Sequence, residues 1–258
     1  MMSYQTEAHS NSAPSERTRR SEAALARTWN EYYALHGRIW GPDPSRTALE
    51  LDRALRSVVQ TLPGRRLVCD LGCGYGRDSI FLAGRGYDCI GVDVAETGLQ
   101  FGQAQYETAS DRFGRAGRVF FVRGTLDSAF GTMGGCTNGT LDGLSSHRTL
   151  DLMRKSEIAD FATSASLLLR PGAIISIGAR SVRDFDPARM HWLERGVTAE
   201  YHARPGQIVS FFDETALDEA FGPHFNILQV GFGEEAERAD DATPVRLIFM
   251  LGQKRAER

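Results

Sequence analysis

Residues 68–78 read Val68-Cys69-Asp70-Leu71-Gly72-Cys73-Gly74-Tyr75-Gly76-Arg77-Asp78. Leu67 to Leu71 is a short apolar run of strand type that ends in a glycine loop, and from Asp78 to Gly84 the pattern turns helical. With no Cβ at Gly72, Gly74 and Gly76, a ligand can lie directly against the main chain. The start of the following helix offers unpaired N–H groups to a polar or anionic group. A carboxylate at Asp70 is suited to accept hydrogen bonds from a cationic amine or from loop amides.

Outward from this loop the chain alternates. Tyr87 to Val92 reads as a second strand and Ala95 to about Ser110 as a helix. Val119 to Val122 and Thr140 to Leu144 read as the third and fourth strands. Asp151 to Leu169 is helical and is closed by Arg170-Pro171-Gly172, and Ala173 to Ile177 is the fifth strand. Strand–helix alternation at this spacing predicts a parallel sheet with helices on both faces. The end of the chain breaks the rule. After a helix over Thr215–Phe221, Phe225–Gly231 and Val245–Leu251 are strands with only an acidic loop between them (Glu234, Glu235, Glu237, Asp240, Asp241), so they pair antiparallel. Ahead of the alternation, a helix from Glu16 places Trp29, Tyr32 and Tyr33 on one face. It stops near Gly37, and a Gly/Pro loop leads to Ser45, which caps a helix running to about Thr61.

The glycine run resembles the first motif of the class I S-adenosylmethionine (SAM)-dependent methyltransferases, in which an acid precedes G-x-G-x-G. The resemblance extends over roughly residues 45–253 and implies an α/β fold. Its sheet is the Rossmann-like seven-stranded methyltransferase sheet, a parallel core with a C-terminal antiparallel hairpin and helices on both faces. It also implies SAM as cofactor, with Gly72, Gly74 and Gly76 packed under the methionine part and Asp70 and Arg77 among the cofactor-binding residues. Asp93, which ends the second strand in Gly91-Val92-Asp93-Val94, stands where the family keeps an acid for the two ribose hydroxyls, with Val94 beside it; a carboxylate can accept from both hydroxyls of a diol. Gly76-Arg77-Asp78-Ser79, Leu82 and Gly86-Tyr87-Asp88 resemble the tellurite-resistance and thiopurine methyltransferase branch. The chain departs from the pattern after the third strand, where Thr125 takes the usual acidic place; Thr125 and Leu126 are expected to line the adenine pocket. A dinucleotide fingerprint, G-x-G-x-x-G/A, fits poorly, because Ser79 or Arg77 falls at its third position.

The fourth strand leads into Ser145-Ser146-His147-Arg148, and in doubly wound sheets ligands bind beyond the strand ends. Ser146 is expected at the cofactor, His147 as an acceptor of the proton released by an O–H or N–H, and Arg148 as a partner for an acidic acceptor. Tyr33 is the candidate from the N-terminal helix, stacking on the acceptor or shielding the sulfonium. These assignments predict methyl transfer to O, N or S of a small molecule. The rival readings are an NAD-type oxidoreductase and a non-catalytic SAM-binding protein. The expected organisation is a disordered tail over 1–15, a helix and active-site cover over 16–44 and the methyltransferase domain over 45–258. An insertion over 180–212 would lie at the acceptor site, and Gly131–Thr140 reads as a slack loop.

Composition narrows the class. The chain has 258 residues, 41% hydrophobic and 24% charged, with a formal charge of −3, which supplies no general basic field for nucleic acid. No apolar run is long enough to span a bilayer, and no segment reads as a signal peptide. Cys69, Cys73, Cys89 and Cys136 lack zinc spacing or a disulfide framework, and no metal is expected. The expectation is a cytoplasmic enzyme, monomer or homodimer.

Overall fold

The computed structural model describes residues 16–57, 64–113, 117–125, 128, 139–203, 207–236 and 244–256. Leu126, Asp127 and the glycine-rich residues 131–138 lie outside the described residues, as do residues 1–15 and Glu237, Asp240 and Asp241 of the acidic loop.

Two helices, α1 (Glu16–His36) and α2 (Arg46–Ser57), precede the first strand, β1 (Leu67–Leu71). The elements α3 (Arg77–Gly84), β2 (Asp88–Asp93), α4 (Glu96–Phe113), β3 (Val119–Arg123) and β4 (Leu141–His147) follow. Then come α5 (Lys155–Leu168), β5 (Leu169–Arg180), three short strands β6 (Met190–Glu194), β7 (Thr198–Tyr201) and β8 (Ile208–Ser210), helix α6 (Glu214–Phe221), β9 (Phe225–Ala236) and β10 (Pro244–Lys254). The main sheet has seven strands in the order β3-β2-β1-β4-β5-β10-β9. The first five are mutually parallel, and β10 runs antiparallel to both β5 and β9. The expected sheet, parallel core and antiparallel hairpin included, is the one observed.

The central strands β1, β2 and β5 are buried on both faces, so they read as near-continuous apolar runs. On one face Leu51 and Leu55 of α2 and Leu82 of α3 pack on Val68, Cys89 and Ile174. On the other, Ile158, Phe161 and Ala165 of α5 and Leu217 and Phe221 of α6 cover Cys69, Leu71, Ile175 and Ile177. The chain leaves β1 for β2 on one side and returns to β4 on the other. That reversal opens a crevice above the carboxyl ends of β1 and β4, the usual ligand position in such sheets.

Two boundaries differ from the sequence reading in ways that shape this crevice. β4 runs on through Ser145, Ser146 and His147 rather than ending at Leu144. The expected helix from Asp151 starts late: a 3-10 turn over Leu150–Leu152 comes first and α5 begins at Lys155. Asp151 is diverted inward, where it accepts from the Arg180 amide at 2.7 Å and pairs with Arg148. The 180–212 stretch folds as the separate sheet β6-β7-β8, with Met190, Ala199, Val209 and Phe211 as its core and Phe185 stacked on Trp192 at 3.9 Å.

Candidate active site

The glycine loop is built from backbone. Gly72 and Cys73 donate their amides to Val92 O at 2.8 and 3.0 Å, which ties the loop to the exit of β2. Gly72, Gly74 and Gly76 have φ of 73°, 57° and 73°, the left-handed region that other residues occupy only under strain. A Cβ at Gly72 would lie 1.9 Å from Thr149 Oγ1, at Gly74 2.4 Å from the Tyr33 hydroxyl, and at Gly76 2.6 Å from the Phe121 ring. Each glycine is therefore required twice, by its conformation and by what approaches it.

Asp93 completes the cradle. Its Oδ2 accepts from Gly74 N and its Oδ1 from Ala95 N, both at 2.8 Å, so one carboxylate couples the loop to the start of α4. Burial raises its pKa, and hydrogen bonds from the Ala95, Gly74 and Val94 amides oppose the rise only in part. Val94 is half-buried beside it. Asp70, only 2% exposed, turns under α3 rather than toward the loop amides and accepts from Ser79 Oγ at 2.6 Å. Burial, then the nearby Asp78, pushes its carboxyl up to about 8.

Arg77 opens α3 and sends its guanidinium to Trp40 O and Asp43 O at 3.0 and 3.2 Å, pinning the segment between α1 and α2. Asp78 accepts from Ser45 N and Oγ at 2.7 and 2.6 Å, locking the start of α2 to α3; Ser45 Oγ in turn accepts from Ala48 N, as a helix cap does. These anchors hold an aromatic cluster over the glycines. Tyr33, 3% exposed, packs with Trp29, Trp40 and Tyr75, and Trp40 stacks on Tyr75 with centroids 6.1 Å apart. Burial and the neighbouring Asp93 raise the Tyr33 phenol well above its ordinary value. Thr125 exchanges hydrogen bonds with Ser128, whose hydroxyl reaches Glu22 of α1.

At the end of β4 the alternation of strand faces divides the predicted residues. Ser146, fully buried, donates to Leu71 O at 3.1 Å, as does Thr149 at the same distance. His147 points to the other face. Its Nδ1 lies 2.8 Å from Thr47 Oγ1 of α2, its Nε2 lies 3.0 Å from Glu235 Oε2 of β9, and its ring stacks on Phe249. Arg148 adopts φ 61°, the one non-glycine residue with positive φ among those described, and its Nε donates to Asp151 Oδ2 at 3.3 Å. Such a conformation persists only where surroundings impose it; here Arg148 N donates to Gly178 O at 2.6 Å.

The structure thus brings together Gly72, Gly74, Gly76, Asp93 and Tyr33 as one group, with Ser146 beside it at Leu71 O, while His147, on the opposite face of β4, and Arg148 stand apart from it. Asp70 and the Arg77 side chain brace the first group from behind. Sequence reading missed Thr47 and Glu235. The available signal was glycine inside strands, a mark of close approach. A Cβ at Gly178 would stand 2.5 Å from Thr47 Oγ1 and 2.7 Å from His147 Nδ1, and Gly231 and Gly233 clear space for the Arg46 guanidinium. His191 pairs with Glu200 and stacks on His202 in the small sheet, but among the described residues no group of three or more His, Cys, Asp or Glu side chains is placed to hold a metal ion. No helix among the described residues is long and apolar enough to cross a membrane.

Residues 68–172 match a family model described as a methyltransferase domain. No curated protein matches the sequence. Among solved structures, a SAM-dependent methyltransferase from Methanosarcina mazei is 17% identical with a TM-score of 0.59, covering 83% of this chain and 100% of its own. The 1,6-didemethyltoxoflavin-N1-methyltransferase of Burkholderia thailandensis, bound to 1,6-didemethyltoxoflavin and S-adenosylhomocysteine, is 18% identical with a TM-score of 0.60, over 95% and 92% of the two chains. The magnesium protoporphyrin IX methyltransferase of Synechocystis PCC 6803 is 18% identical with a TM-score of 0.57, over 91% and 99%. At these identities the likeness is one of fold, and it selects no branch within that fold.

Proposed function

We propose that this chain, a class I SAM-dependent methyltransferase in fold with a methyltransferase domain over residues 68–172, moves the methyl group of SAM to an O, N or S atom of a small molecule. The observation that carries the reading is the cradle itself: three left-handed glycines with no room for a side chain, closed by a carboxylate at the next strand end and roofed by aromatic rings. Those features fit SAM part by part. Bare backbone at Gly72, Gly74 and Gly76 suits the methionine chain, and the first turn of α3, where Arg77 sits, suits its carboxylate. Asp93 suits the ribose diol, and Val94 and Thr125 suit the adenine. Asp70 holds the loop through Ser79 and α3. The faces of Tyr33 and Trp40 suit a sulfonium cation.

When bound, SAM supplies a methyl group activated on a positive sulfur. The protein's part is to hold the acceptor in line with the S–CH3 bond and to keep water out; orientation of this kind is worth on the order of 7–11 kcal/mol in favourable cases. Ser146 belongs with the cofactor, and His147 and Arg148 stand at the acceptor end, where a proton leaves an O–H or N–H acceptor and Arg148 can meet an acidic one. A small-molecule acceptor is supported by the two relatives of this fold whose acceptors are a toxoflavin precursor and a magnesium porphyrin.

Calorimetric titration with S-adenosylhomocysteine and with NAD tests the reading. We expect saturable binding of the first and none of the second. NAD bound and S-adenosylhomocysteine refused would make the chain a dinucleotide protein instead.

A further inference from the structure

Both nitrogens of His147 are committed. Nε2 faces the Glu235 carboxylate at 3.0 Å and Nδ1 faces the Thr47 hydroxyl at 2.8 Å. An ionised carboxylate only accepts, so Nε2 carries the ring proton. In the neutral ring Nδ1 is then the lone-pair nitrogen, and the Thr47 hydroxyl is its donor. Thr47 is fully buried, and the ring is clamped between Thr47 and Phe249 over the bare backbone of Gly178. The imidazole therefore presents no lone pair to a ligand in the crevice. Glu235 differs: its side chain is 26% exposed, its Oε2 takes the His147 hydrogen bond, and its Oε1 has no hydrogen-bond partner among the described residues.

We propose that Glu235, rather than His147, receives the proton released by the methyl acceptor, and that Thr47 and His147 are positioning residues that aim its carboxylate. The assignment rests on the methyltransferase reading above. In the step, a lone pair on the acceptor atom forms a bond to the methyl carbon. The S–CH3 bond breaks with its electron pair passing to sulfur, and the acceptor's proton moves to Glu235 Oε1. A sulfonium, a neutral acceptor and a carboxylate become a thioether, a methylated product and a carboxylic acid, which loses its proton to water.

The charged groups that act on Glu235 come from separate elements, His147 of β4, Arg148 just beyond it and Arg77 of α3, while Arg46 of α2 lies over Phe249 and against Gly233 and is paired with Glu50. Burial acts to raise the Glu235 carboxyl, but the His147 hydrogen bond, with Arg77 and Arg148, outweighs it and holds the group below its ordinary value. The proton-accepting form thus persists as pH falls and is lost only below the usual glutamate range. An imidazole base would lose it through the ordinary histidine range, roughly 6–7.

Transfer from methyl-labelled SAM to simple phenols and to thiophenol, with long-range ¹⁵N–¹H NMR of His147, decides between them. Expected are an Nε2–H tautomer and, for neutral phenols, an acid limb below the histidine range. Glu235→Gln lowers kcat for neutral phenols by about 10²–10⁴-fold but leaves thiophenol, already ionised at neutral pH, within severalfold. His147→Gln moves the acid limb upward, because burial then acts on Glu235 with less opposition, a shift that a purely structural role would not produce. An Nδ1–H tautomer with an open Nε2, or equal losses for phenol and thiophenol in Glu235→Gln, would overturn the proposal. The tautomer decides even where no probe is methylated. Failure of the wild-type chain to bind S-adenosylhomocysteine would instead defeat the methyltransferase reading, whatever the tautomer.

Discussion

The cradle around Gly74 and the cluster around His147 sit side by side above the sheet, yet they are built by opposite means. The first has its frame in main chain within a single strand–helix–strand unit, the amides of Gly72 and Cys73 bonded to Val92 O and that of Gly74 to the Asp93 carboxylate, with Tyr33 and Thr149 laid over it from elsewhere in the chain. The second is made of side chains from three remote elements, Thr47 lying 100 residues before His147 and Glu235 lying 88 after it. A backbone frame tolerates almost no change in its own residues, and distant partners such as Tyr33 cover it without making it. A side-chain site depends on every strand between its members holding register, because one residue of slip would turn His147 to the opposite face.

The contrast can be broken most sharply at Gly74. Gly74→Val forces a β-branched residue to φ 57° and drives its Cβ into the Tyr33 hydroxyl. We expect S-adenosylhomocysteine affinity to fall by at least about 100-fold, some 2.7 kcal/mol, measured by calorimetry on protein whose circular dichroism shows it folded. Unaltered affinity would remove the cradle from the site. Next in size is Gly178→Ala, which inserts a methyl group between Thr47 and His147 in ordinary strand backbone. Overpacking of this kind costs about 1–3 kcal/mol, and chemical denaturation should register it while S-adenosylhomocysteine still binds; loss of binding would show that the two regions are coupled.

Asp70 offers a pH test. Its folded-state carboxyl lies at about 8, raised first by burial and then by Asp78, whereas an unfolded aspartate titrates near 3.9. Between those values the folded chain holds the extra proton, so this group makes the protein less stable as pH rises through that window. Asp70→Asn should flatten that part of the stability–pH curve without ligand present; an identical slope in the variant would count against the burial account. The smallest effect is expected far from both regions. Asp213 caps α6 by accepting from Ala216 N at 2.8 Å, so Asp213→Ala should cost about 1 kcal/mol of stability and leave binding untouched.

Much of the fold was legible because each parallel strand carries a short apolar run, and the change from alternation to a hairpin shows in the chain order alone. Strand ends were less legible. Nothing local distinguishes Ser145-Ser146-His147 as strand, because these polar residues enter the ladder through pairing with Asp70 and Leu71 of β1 and with Ser176, Ile177 and Gly178 of β5. Asp151 reads as the start of a helix, and its attraction to Arg148 and Arg180 is what holds it out of one. The 180–212 stretch carries no clean period, since its three strands bury only a small core of their own.

From its residues alone this chain declared a parallel sheet, a loop where backbone must be bare, and an acid one strand away, because each of those follows from steric rules acting over a few neighbouring positions. Only the folded molecule decided that His147 would meet Thr47 and Glu235, that Asp70 would turn under α3, and that Tyr33 would roof Gly74. Those outcomes depend on sheet twist, register and helix packing, which bring together residues that no local pattern connects.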